Sequence, residues 1–256
     1  MEITSYLPLM ILIFSRVAAI FSIIPIFSSR NAPMQLRIGF IFFVSLVMFP
    51  MLVNTGVLIP ETFGELLVSM VTEIVIGLTL GFSITFTINS IYLAGTLVDR
   101  NIGFAMVSVM SATDESQMPV TANFYYILSM MIFLISDYHL RLIEGLALSF
   151  KEVPIGTNNY NVLMAKRITD ILGESFVIAF KMAAPFLITI IVANIILGLL
   201  SKAMPGLNVF MVGMPLKILI GFIIFLIITP YYMEFFNNLF HIMFQQFIDI
   251  IMNLAA

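Results

Sequence analysis

Long apolar runs, broken at a few places by charge, set the pattern of this chain. Residues 38–60 hold no charged side chain, and residues 66–98 hold only Glu73. Residues 116–136 and 182–201 are two further uncharged runs. Residues 7–27 are apolar but include Pro8, Arg16 and Pro25, and the shorter run 218–233 contains Thr229-Pro230. A membrane-crossing helix needs about 20 apolar residues. These six segments therefore predict an all-α, multi-helix, membrane-associated fold. As one helix, residues 66–98 would reach about 50 Å, well past a hydrocarbon core of about 30 Å. That segment must tilt, break or extend beyond the bilayer.

Two polar interruptions separate the runs. The larger, 137–174, carries nine of the 25 charged residues, and Lys166-Arg167, Asp170 and Glu174 follow a helical spacing that suggests a solvated amphipathic piece. The other begins at Asp99 and runs to about Gln117. Near the end of the chain, Glu234, Asn238, His241, Gln245 and Asp249 recur every three or four residues among apolar positions. This is an amphipathic helix with a narrow polar stripe, lying at the membrane–water interface or facing a polar pore or a partner. Alternating the six spans places five basic residues on one side and four on the other. The usual positive-inside bias is missing, which points to a non-standard topology.

Helix breakers give a second pattern. Met204-Pro205-Gly206 and Gly213-Met214-Pro215 bracket a stretch that includes Asn208 and Phe210. Proline removes a backbone donor, and free backbone groups are not tolerated against lipid. A broken hairpin here, marked by Pro205, Gly206, Asn208, Phe210, Gly213 and Pro215, must be covered by protein or line a cavity, as in channels, transporters and larger assemblies. Gly77 and Gly81 form a GxxxG pair, which permits close helix approach; Gly95 and Gly103 extend the small-residue theme. The segment 103–118 is irregular and holds Gly103, Phe104, Met106, Met110, Asp114 and Met118. Flexible methionines fill irregular gaps and adapt to changing partners, so this stretch is either an ordinary connection or a deformable seal.

Composition sharpens the class. The chain is 61% hydrophobic and 10% charged, against about 45–50% and about 25% for soluble domains, and its mean hydropathy is +1.11. Lipid or other apolar protein must be the solvent for much of its surface. The net charge is −3 with scattered basic residues, which leaves no electrostatic footprint for nucleic acid. The first basic residue, Arg16, lies inside the first apolar run, so no cleavable signal pattern appears and the first segment is expected to stay in the mature protein. With no cysteine, two histidines about a hundred residues apart and no clustered carboxylates, no metal site is expected. No nucleophile elbow or phosphate loop is present, so an enzyme is not expected. Arg16, Glu73 and Lys181 sit inside or at the end of apolar runs, where burying a charge costs several kcal/mol. They either pair structurally, with one another or with a partner, or carry an ion or proton. Glu73 alone is thin material for a relay.

Arg16, Pro25-Ile26-Phe27-Ser28, Arg30, Pro33 and Arg37-Ile38-Gly39 resemble the N-terminal pattern of the FliR family. So do Ala94-Gly95, Gly103-Phe104-Ala105, Asp114, Met118-Pro119 and Pro154-Ile155-Gly156. The most specific match is Asn208-Val209-Phe210-Met211-Val212-Gly213-Met214-Pro215-Leu216-Lys217, preceded by Gly198-Leu199 and Pro205. The resemblance runs through nearly the whole chain in order. Flagellar members often carry Asp-Pro-Ala in the central loop, where this chain has Thr113-Asp114-Glu115-Ser116.

The resemblance implies a structural subunit of the flagellar type III export gate in the bacterial inner membrane, at the flagellar basal body. It implies assembly with FliP-like and FliQ-like subunits, together with FlhB-like and FlhA-like components, around a conduit for unfolded flagellar proteins. Bent hairpins packed into that assembly, one export-gate domain over 1–256 and no cofactor are expected. The domain divides into N-terminal hairpins over 1–98, a plug-like central loop over 99–118 and C-terminal hairpins over 119–256. Two other readings are an injectisome export-gate subunit and a small-solute secondary transporter. The transporter predicts an inverted repeat and a polar midplane site, and no convincing repeat is visible. A scaffold without a conduit would leave 103–118 with no reason to face a pore.

Overall fold

Proline and glycine, more than charge, set where helices begin and end in the computed structural model, which describes residues 6–25, 33–53, 60, 62–104, 119–156, 162–204, 206 and 208–255. Among these the chain is helical throughout, with seven helices and no strand: α1 (Leu7–Ile23), α2 (Met34–Val53), α3 (Phe63–Ile102), α4 (Val120–Ile135), α5 (Tyr138–Glu152), α6 (Val162–Ala203) and α7 (Val209–Ala255). Four of them, α2, α3, α6 and α7, are long and apolar enough to cross a membrane; the pair α4 and α5 makes a fifth if counted as one bent span.

Local chemistry explains the ends. Pro8 lies at the start of α1, where its missing N–H would be unbonded anyway. Ile24, just before Pro25, is extended with ψ 120, as crowding by a following proline demands. Asp137, with φ 58, turns the chain left-handed between α4 and α5, a conformation that Asp tolerates better than most residues. Asn208 opens α7, its side-chain oxygen accepting from the Met211 N–H at 3.2 Å.

One sequence expectation is narrowed to one of its alternatives, and another is corrected. The run 66–98 does not break: it lies within the 40-residue α3, about 60 Å long. The chain is interrupted between α6 and α7, but it does not break again at Gly213 and Pro215, because α7 passes through both as one 47-residue helix. One absent donor removes a single backbone bond, and a long helix accommodates that; α2 and α6 likewise contain Pro50 and Pro185. Hydroxyls supply carbonyls near such sites, Thr189 donating to the Pro185 carbonyl at 2.8 Å and Thr229 to that of Phe225 at 2.6 Å.

The chain forms two compact units. The first comprises Met1–Ile88, Asp137–Leu172 and Phe240–Ala256. In it α1 meets α2 through edge-on rings, Phe21 on Phe40 at 5.2 Å. It also meets α3 at Gly77, where a Cβ would fall 2.6 Å from the Arg16 carbonyl oxygen, and at Gly81, 3.1 Å from that of Ile20. The GxxxG pair thus serves close approach of two helices. α5 buries Tyr138, Leu142, Leu146, Ser149 and Phe150 as one helical stripe, and Phe247 of α7 packs where a side chain on Gly145 would stand.

The second unit comprises Asn89–Ser136 and Gly173–Leu239. Its core is aromatic: Tyr125 lies 4.9 Å from Tyr232 and Phe124 4.8 Å from Phe225, both edge-on, a geometry that adds about 0.5–1.5 kcal/mol per pair beyond area burial. The Tyr125 hydroxyl donates to that of Tyr232, which donates to the Met182 carbonyl, so both buried polar ends are satisfied.

Candidate functional site

The most charged place in the core of the first unit lies on α1 and α3. Arg16 and Glu73 are both fully buried, and their facing helices bring Arg16 Nε to Glu73 Oε2 at 2.5 Å. The guanidinium does more than neutralise. Its Nη1 donates to the carbonyls of Ser149 at 2.9 Å and Val153 at 3.0 Å, which cap the end of α5. The Ser149 carbonyl also accepts the Val153 N–H at 3.0 Å, so the guanidinium is its second donor, and a cation at this helix end complements the dipole. The ring of Phe150 lies under the guanidinium at 4.5 Å. Glu73 uses its second oxygen to accept the Gly156 N–H at 3.2 Å. Gly156 has φ +83, a conformation that glycine adopts freely. One ion pair thus ties together α1, α3 and the turn after α5.

This geometry uses the planar fork of a guanidinium: Nε and Nη1 are paired, while Nη2 is buried with no hydrogen-bond partner among the described residues. It also uses Pro154-Ile155-Gly156, one of the stations the sequence singled out. Lys181 is not part of it: that residue belongs to the second unit, on an exposed face of α6.

A second polar point lies at the base of the 103–118 stretch, in the second unit. α4 starts after Pro119, which has no side-chain cap to offer. Asp99, near the end of α3, supplies the cap from outside. It is 2% exposed, and its carboxylate accepts from the Thr121 hydroxyl at 2.5 Å, the Thr121 N–H at 3.0 and 3.1 Å and the Ala122 N–H at 3.4 Å. A carboxylate at a helix N-terminus satisfies orphan donors and the dipole together. One turn earlier, Gly95 lets the two helices touch: a Cβ there would stand 2.5 Å from the Ala122 amide nitrogen. α3 closes at Gly103, whose N–H bonds the Asp99 carbonyl at 3.1 Å and whose φ is +102. Asp99 therefore touches both stems of the central stretch. Reading the sequence missed it, because a charge near a run's end looks solvated. The available signal was a helix opening at Pro-Val-Thr with no capping side chain of its own.

Of the central residues named from sequence, Gly103 and half-buried Phe104 end the described part of α3's stem. Met106, Met110, Asp114 and Met118 lie outside the described residues, as does Pro205. Gly206 stands in the turn between α6 and α7. Phe210, Gly213 and Pro215 belong to α7, where Gly213 sits against Leu197 of α6.

The pattern of the bacterial export proteins, family 1, matches residues 7–243. The chain is 30% identical over 233 residues to the flagellar biosynthetic protein FliR of Bacillus subtilis, 88% of each chain being covered. It is 28% identical to the protein of that name from Escherichia coli, over 93% of this chain and 91% of that one. The FliR of Aquifex aeolicus is also 28% identical, over 94% and 93%. The match takes in the Arg16–Glu73 pair, the Asp99 cap and most of the long helices in a single alignment, and on that extent the chain is a member of the bacterial export proteins, family 1.

Proposed function

We propose that this chain is a structural, non-enzymatic subunit of the flagellar type III protein-export gate, seated in the bacterial inner membrane at the flagellar basal body. It joins FliP-like and FliQ-like subunits, with FlhB-like and FlhA-like components alongside, and forms with them the conduit through which unfolded flagellar proteins pass. The observation that carries this reading is the near full-length similarity to proteins named for flagellar biosynthesis. It also favours the flagellum over an injectisome.

The surface supports a subunit within an assembly. Large apolar side chains are exposed along α2, α6 and α7, including Phe43 at 63% and Met211 at 74%. Such faces mark contact with lipid or with other proteins. Within the single domain, residues 99–118 act as the plug of the conduit, flanked by the hairpins of 1–98 and 119–256. The plug's flexible methionines seal against neighbouring subunits, and Asp99 fixes its base. The subunit needs no cofactor.

Native mass spectrometry after co-expression with the FliP-like and FliQ-like subunits of the same organism tests the assignment. A discrete complex holding this chain at low copy number is expected. A chain that remains alone and stable in detergent overturns it.

A further inference from the structure

One amide on α6 stands where its own chain offers it nothing. Residues 182–201 of that helix carry no charge. Twenty helical residues rise about 30 Å, one hydrocarbon thickness. Three side chains in the run are polar: Thr189, Asn194 and Ser201. The Thr189 hydroxyl donates to the Pro185 carbonyl and that of Ser201 to the Gly198 carbonyl, each at 2.8 Å, so both are satisfied on their own helix. Asn194 is exposed, and its amide has no partner among the described residues. Asn101 and Asn253, on α3 and α7, each bond the carbonyl four residues back at 2.7 Å; Asn194 makes no such bond.

Its position makes that costly. Asn194 lies eight residues from Lys202 and thirteen from Lys181, about 12 and 20 Å along the helix. Its short side chain cannot reach a headgroup layer from there, as the long stem of a lysine can. Against lipid tails an unpaired amide loses its bonds to water and gains none. One turn further on stands Gly198, also exposed. It has no positive φ, and a Cβ added to it would meet nothing within 4 Å. Nothing in this chain therefore calls for glycine, a residue disfavoured in helix interiors. Leu187, Ile191, Asn194 and Gly198 recur every three or four residues and share one face, beside the buried stripe of Phe186, Ile190, Ala193 and Leu197.

We propose that this face of α6 seats an apolar helix of a different subunit. That helix crosses closely over Gly198 and meets the Asn194 amide with an Asn, Gln, Ser or Thr side chain at the same depth. The amide offers one acceptor oxygen and two N–H donors, and the partner's group completes them. Within a bilayer, helices associate through such bonds and through small residues that admit a neighbouring backbone. Lipid tails cannot supply the bond. A water-filled lumen could, but Leu187 and Ile191 on the same face suit a dry contact. The proposal rests on the chain being one subunit of a membrane assembly and names a face by which it is held there.

The test uses the complex formed with the co-expressed partner subunits in native membranes. p-Benzoylphenylalanine in place of Ile191, which is 54% exposed, should on illumination join this chain to one other subunit, identified by mass. Asn194→Leu should lower the yield of assembled complex several-fold and leave the abundance of the chain itself unchanged, because the amide bonds nothing within the chain and leucine suits a helix. Asn194→Gln, which keeps the amide, should lose less, and Gly198→Leu should lose as much as Asn194→Leu. An unchanged or raised yield with Asn194→Leu would put lipid on this face and overturn the proposal, as would an adduct at 191 with lipid alone or with a second copy of this chain. Since the chain has no cysteine, ready reaction of Asn194→Cys with a membrane-impermeant maleimide in the assembled complex would place water there and overturn it too. An unaltered chain that forms no complex at all would remove the assembly reading itself, and this proposal with it.

Discussion

At the scale of single side chains, the physics of Arg16 and Glu73 is lopsided. A buried ion pair is not a large net gain over apolar residues of the same shape, because desolvation offsets the attraction. Removing one partner is different, since it strands a charge with no counterion. Arg16→Ala or Glu73→Ala alone should therefore cost about 3–5 kcal/mol, read as loss of assembled complex and a lowered melting temperature. The double change to methionine at both positions should cost less than the sum of the single losses, and additive losses would show that the two residues act separately. Arg16→Lys should not rescue, since an ammonium cannot hold Glu73 and two carbonyls in one plane. The pair's charge was legible in the sequence, as two ionisable residues in apolar runs. Its other partners were not: the Ser149 and Val153 carbonyls are 133 and 137 residues away along the chain, and backbone acceptors leave no compositional trace.

Among elements, backbone proximity is the governing quantity. α3 carries the hydroxyls of Thr79, Ser83 and Thr85 into a buried face, where each bonds a carbonyl three or four residues back in its own helix. Polar side chains satisfied this way leave the helix surface smooth, and glycines let neighbours close on it. Gly95→Val should force α3 from α4 and loosen the Asp99 cap. The expected result is a complex that assembles poorly or melts at least several degrees lower. Gly173→Ala is the control, because nothing lies within 4 Å of the Cβ it would add, and alanine favours a helix interior by about 1 kcal/mol; it should leave the melting temperature unchanged or raised. The same logic explains which boundaries the sequence revealed. Apolar runs located every long helix, but charge was a poor guide to helix ends. The polar interruption 137–174 read as a solvated piece, yet its residues 162–174 begin α6, because a helix continues through charge and stops only where backbone bonding fails. Pro215 read as a breaker for the opposite reason: one missing donor inside a long helix is tolerated.

For the whole molecule, length decides what the chain can be. α3, α6 and α7 have 40, 42 and 47 residues, about 60–70 Å each, roughly twice the hydrocarbon core. Helices of that length with exposed apolar faces need more than lipid around them, which is the expectation for one subunit of an assembly. In such an assembly a conduit for unfolded chains must stay closed to ions between export events. The stretch beginning at Gly103 suits that task chemically, and Asp99 pins its two stems, through the Gly103 N–H on one side and Thr121 on the other. Deleting residues 106–113 should therefore leave assembly intact, because the Asp99–Thr121 bonds, the Gly95 contact and the Tyr125–Tyr232 core all lie outside the deleted residues. It should make cells leaky to small solutes, measured as uptake of a normally excluded dye or as growth loss in the presence of a membrane-impermeant toxic solute. Full assembly with unchanged permeability would assign the seal to another subunit and leave 103–118 as a connection. Loss of assembly would show that the stretch itself holds the unit together.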